Sequence, residues 1–76
     1  MPMPLTMAER GRELVLCEIR GGMGIRRRLT DMGLHPGSHL KVISNSGHGP
    51  FVISVGDTKL MIGRGMARKI MVEKTA

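Results

Sequence analysis

Glycine and proline cut this chain into short pieces. Gly11, Gly21-Gly22, Gly33, Pro36-Gly37, the Ser46–Pro50 loop, Gly56 and the Gly63–Gly65 stretch recur at close intervals through its 76 residues. These residues are the strongest local breakers of regular structure. Between two cuts there is room for a short strand or a short helix, and nothing longer. The length allows a single domain, 1–76, that hides only about 60% of the surface its unfolded chain exposes. A core so thin leaves little volume for a catalytic cleft, so a binding module is the first expectation. Residues 1–4, with Pro2 and Pro4, are expected to be loose, while Leu5 and Met7 tuck into the core.

The pieces are read by period. Residues 13–20, ELVLCEIR, predict a strand with Val15, Cys17 and Ile19 on one face and Leu14 and Leu16 on the other, covered on both sides. Residues 23–32 predict a short helix, because Ile25, Leu29 and Met32 fall at i, i+4 and i+7. Arg27 then points away from that stripe, one turn from Asp31 as a partner. Gly33 occupies the left-handed cap position, with Leu34 free to pack back on the last turn. His35-Pro36-Gly37-Ser38 suits a type II turn. Strands are predicted over 39–45, with Leu40 and Val42 together, over 51–55, with Phe51, Ile53 and Val55 together, and over 58–62, with Leu60 and Ile62 inward. Gly56-Asp57 is a two-residue hairpin signal. Residues 63–67 suit a tight turn or a single 3₁₀ turn, and 68–73 a last strand carrying Ile70 and Val72. The order is one strand, a short helix, then four short strands. That fits a small barrel or a sandwich.

Composition narrows the function. The net charge of +6 favours an acidic partner without choosing among nucleic acid, an anionic membrane surface and an acidic protein face. With one Phe, no Tyr and no Trp, the chain lacks the aromatic platform on which single-strand binders stack bases. No apolar run approaches the roughly 20 residues that cross a bilayer, and the first residues do not read as a secretory signal. The cytoplasm is therefore the expected location. A lone Cys17 forms no internal disulfide and no cysteine zinc framework. Mid-strand it reads as a small hydrophobe. The six acidic residues form no paired-carboxylate motif, the serines no nucleophile elbow, and the glycine-rich turns at 21–24 and 63–65 no phosphate loop. His35, His39 and His48 spell no metal set. No catalytic residue, metal site or cofactor is expected.

The sequence of motifs Pro4-Leu5 before Gly11, Glu18-Ile19 before Gly21-Gly22, Arg28-Leu29, Met32-Gly33-Leu34, Pro36-Gly37, and Leu60 with Gly63–Ala67 before Ile70-Met71-Val72 resembles the ferrous iron transport protein A (FeoA) family over Pro4 to Val72. Met32 stands where leucine is common, and Met7-Ala8 replaces a more leucine-rich opening. The resemblance implies a mainly β fold, an SH3-like small β-barrel with a helix inserted after the first strand. It also implies a cytosolic accessory of ferrous iron uptake that docks on the cytoplasmic region of the FeoB-type membrane permease and modulates its transport or GTPase activity. Such a chain meets the membrane only through that partner, and nucleic acid is not expected. Two alternatives remain: a nucleic-acid-binding small barrel, and an SH3-like interaction module of a metal-dependent regulatory system.

The residues expected at a partner surface are Met23, Arg26, Arg27, Arg28, Leu34, Arg64 and Met66. The three arginines cannot all point one way, because helical neighbours diverge by about 100°. They read equally as a solvated face and as a docking face for an acidic partner.

Overall fold

The computed structural model describes residues 1–45 and 47–75. Its elements are β1 (Met3–Pro4), a 3₁₀ turn (Leu5–Met7), β2 (Glu13–Ile19), α1 (Met23–Asp31), β3 (His39–Ser44), β4 (Phe51–Val55), β5 (Thr58–Ile62), α2 (Arg64–Ala67) and β6 (Ile70–Lys74). The strands form one sheet in the order β1-β6-β2-β3-β4-β5. Every pairing is antiparallel. The last strand returns between the first two, which ties the ends of the chain together. Met3 lies opposite Val72 and Pro4 opposite Met71, so the loose N-terminus expected over 1–4 is corrected at those two positions.

The inner face is apolar throughout. Leu14, Leu16 and Ile19 of β2 meet Leu40, Val42, Phe51, Ile53, Ile62, Ile70 and Val72, and Leu5, Ala8, Leu29, Leu34 and Ala67 close the ends. Met7 stays outside, 69% exposed, and Ala8 is buried in its place. In a 3₁₀ turn side chains three apart eclipse one another, so Leu5 and Ala8 share a side and Met7 does not.

β2 departs from simple alternation. Leu16 lies opposite Val72, but the next pair is Glu18 with Met71, so Cys17 is the extra residue of a bulge. An inserted residue reverses the parity of everything after it. Ile19 therefore joins Leu14 and Leu16 in the core, while Val15 and Cys17 are left half-buried. The strand expected to be apolar on both faces has one inner face and a mid-course switch.

β3 ends at Ser44 and shifts register against β4 between Val42 and Ser44, and the β4–β5 hairpin forms as expected, with Val55 opposite Thr58 across the Gly56-Asp57 turn. Leu40, Val42, Phe51, Ile53 and Ile62 are buried, and Val55 and Leu60 are half-buried against them. Residues 63–67 form a full α turn where a tight or 3₁₀ turn was expected. The Ala67 N–H donates to the Gly63 carbonyl at 2.9 Å and the Arg68 N–H to the Arg64 carbonyl at 3.1 Å, bonds spanning four residues. Burial of Ala67 holds this turn on the core. Arg68 and Lys69 complete the turn, so β6 begins at Ile70 and extends to Lys74.

Candidate functional site

The exit of α1 sets its position. The Leu34 N–H donates to the Leu29 carbonyl at 2.8 Å and the Gly33 N–H to the Thr30 carbonyl at 2.9 Å. These are the paired bonds of a Schellman cap, which requires positive φ at Gly33, here +90°. Leu29 and Leu34 are both fully buried, completing the motif's apolar contact. The chain then turns at Pro36-Gly37, where Gly37 has φ +96° and the Ser38 N–H donates to the His35 carbonyl at 2.9 Å, as the type II turn required. The buried Ser38 hydroxyl accepts from the His35 N–H at 3.1 Å and donates to the Gly33 carbonyl at 3.3 Å. Helix end and turn are thereby locked to each other and to the start of β3.

Held in this way, α1 buries Leu29 and leans Ile25 and Met32 on the core. Met23, Arg26, Arg27 and Arg28 are exposed, Met23 at 73%. Among the described residues the ion pairs are Met1 with Glu73, Arg12 with Glu9, and Arg20 with Glu18, so the expected Arg27–Asp31 pair does not form. Among those residues, the helix thus offers three guanidinium groups with no carboxylate at ion-pair distance.

The other expected surface residues lie elsewhere. Leu34 is 0% exposed, which corrects its place in a contact surface. The Schellman cap forces it inward. Arg64 is corrected as well. Its guanidinium stacks 4.8 Å from the centroid of the Phe51 ring and donates through Nη2 to the Asn45 carbonyl at 3.1 Å and to the Gly47 carbonyl. It is a strap over the β3–β4 connection. Met66 is half-buried against the core.

The structure adds a feature that the periodic pattern hid. Cys17, Glu18 and Ile19 of β2, Arg26 and Thr30 of α1, and Pro36 line a groove of about 290 Å³. The β2 bulge aims this wall, and a bulge leaves no compositional signature. Burial, with the Glu73 carboxylate adding to it, pushes the Cys17 thiol up from its ordinary range. Cys17 should therefore be alkylated by iodoacetamide at pH 8 more slowly than a free cysteine, with its rate still climbing above the pH where a free thiol levels off. A rate equal to that of free cysteine at pH 8 would contradict this. Among the described residues no group of three or more His, Cys, Asp or Glu side chains could hold a metal ion. None of their helices is long and apolar enough to cross a membrane.

The FeoA domain model matches residues 3–74. A protein of Methanocaldococcus jannaschii named as a candidate Fe(2+) transport protein A is 47% identical over 70 residues, covering 92% of this chain and 84% of the relative. The chain belongs to the FeoA family. A crystal structure of an iron uptake regulatory protein (FeoA) superposes with a TM-score of 0.91 at 37% identity, covering 99% of this chain and all of the other. A manganese-dependent transcriptional repressor in complex with manganese superposes at TM-score 0.89 and 17% identity, over 97% of this chain and 37% of the repressor. At that identity the likeness is one of fold alone. The FeoA fold here is the expected mainly β, SH3-like architecture with a short helix after the first full strand. In this FeoA-family chain Met23 and Arg26–Arg28 of α1 are exposed, and Arg26 lines the groove with Cys17, Glu18 and Ile19 of β2.

Proposed function

We propose that this FeoA-family chain is an accessory of ferrous iron uptake that acts by binding and not by catalysis. It docks in the cytoplasm on the cytoplasmic region of a FeoB-type permease and modulates transport or GTP hydrolysis. The observation that carries the reading is the α1 face, where Met23 and Arg26–Arg28 are exposed and, among the described residues, no carboxylate engages the arginines. Exposed cations beside an apolar side chain suit the rim of an interface with an acidic protein surface. Membership of the family and the Fe(2+) transport relative support the choice of partner. A nucleic-acid reading draws on the same charge, but Phe51, the one aromatic side chain, is 1% exposed and covered by Arg64, so it offers no base a stacking surface.

The test is an NMR titration of the labelled chain with the permease's G-protein domain, with its full cytoplasmic region, and with an oligonucleotide. Saturating shifts along α1 are expected with at least one of the two permease samples. The double variant Arg26→Glu, Arg27→Glu should keep its dispersed spectrum and bind about tenfold or more weakly, at roughly 1.4 kcal/mol per decade. Shifts with the oligonucleotide alone would reject the reading. Unchanged affinity in the double variant would reduce the triplet to a solvated face.

A further inference from the structure

We infer that the groove between β2 and α1 is a strand-addition site for an extended acidic segment of another protein. The first observation is an unpaired edge. β3 accompanies β2 only through Glu13, Leu14 and Val15, and the last bonds on that side are made by Leu16 with Ser38 and Gly37. Past Leu16, Glu18 and Ile19 are paired on the β6 side alone among the described residues, and the bulged Cys17 has no strand partner there. Cys17, Glu18 and Ile19 line the groove. An open strand edge is a template for an incoming strand, to which main-chain hydrogen bonds give affinity and flanking side-chain pockets give selectivity.

The second observation is the opposite wall. Arg26 and Thr30 line the groove from α1, and Met23 falls on the same side by the helical period. Ile19 and Pro36 give the floor an apolar character. A strand seated here would therefore lie between a hydrogen-bonding edge and a helix, in a channel. The third observation is charge. Glu18 is engaged by Arg20 at 3.4 Å, whereas Arg26 meets no carboxylate among the described residues. The site's uncommitted charge is positive, which selects acidic side chains on the incoming strand. Among the described residues the terminal strands β1 and β5 are also open on one side, but β1 is two residues long and β5 carries Lys59. Lysine on an edge strand discourages pairing there.

The inference is separable from permease docking, because Thr30 lines the groove and Arg27 does not. The probe is an acetylated, amidated peptide of alternating valine and glutamate added to the labelled full chain. Binding should shift resonances of Cys17–Ile19, Arg26 and Thr30 and slow amide exchange within Cys17–Ile19. A valine–lysine counterpart should bind about tenfold or more weakly. Thr30→Trp, at an exposed helix position, should fill the channel and abolish binding while leaving the spectrum folded, and Arg27→Glu should weaken it far less. The inference is overturned by slowed exchange at Thr58–Ile62 in place of Cys17–Ile19, by equal binding of the lysine peptide, by unchanged binding in Thr30→Trp, or by no binding at all.

Discussion

Leu34→Ala should lower the stability of this domain by about 2–5 kcal/mol, the usual cost of emptying a fully buried leucine site. A chain of 76 residues has roughly 4–11 kcal/mol in total, so one truncation consumes a large share. The effect should be larger than area alone suggests. Leu34 is fully buried, and its N–H donates to Leu29 in the cap that sets the end of α1. Losing the side chain removes the apolar half of that motif and loosens the helix on the sheet. Urea unfolding followed by far-ultraviolet circular dichroism measures it, with the midpoint expected to fall sharply. A midpoint equal to wild type, together with weakened permease binding, would return Leu34 to a contact surface and sink the packing account.

Phe51→Ala should cost about 3–5 kcal/mol, at the upper end for a single truncation. The ring is 1% exposed, is among the largest fully buried side chains, and is the floor on which Arg64 rests. The cation over the ring contributes about 0.5–2 kcal/mol beyond burial. Arg64 Nε is buried with no hydrogen-bond partner among the described residues, so loss of the ring leaves that group with less compensation. The Asn45 and Gly47 carbonyls that Arg64 holds would be released with it. A double-mutant cycle of Phe51→Leu with Arg64→Met isolates the pair, with a coupling of about 0.5–2 kcal/mol expected. Additive losses would show that Arg64 straps the loop independently of the ring. The same burial predicts that an oligonucleotide leaves the Phe51 ring resonances unmoved.

Much of the fold was legible because its signals are local. Gly33 and Leu34 announce a cap, Pro36-Gly37 a turn and Gly56-Asp57 a hairpin, since each needs a dihedral that few residues adopt. Leu40, Val42, Phe51 and Ile53 alternate because a strand does. The α1 stripe of Ile25, Leu29 and Met32 placed the arginines outward for the same reason. Met3, Pro4 and Arg64 were misread because their surroundings come from distant parts of the chain, whereas Met7 and Leu34 were misplaced by local geometry, the 3₁₀ turn and the Gly33 cap. Met7 looked like a core residue until the 3₁₀ turn gave that place to Ala8. Met3 and Pro4 looked loose until β6 arrived beside them. Arg64 looked available until Phe51 and the β3–β4 connection folded beneath it.

The sequence by itself determined the strands β2 to β6 with α1 and their order, the absence of an aromatic platform for bases, and the family, because dihedral preference, side-chain period and motif order are properties of neighbouring residues. Only the tertiary structure decided that Cys17 is a bulge, that Ile19 turns inward after it, and that the open edge of β2 faces Arg26 and Thr30 across a groove. Those facts depend on the register of β2 against β6 and on where the Gly33 cap aims α1. Strands more than fifty residues apart along the chain set that register through packing, so no local stretch encodes it.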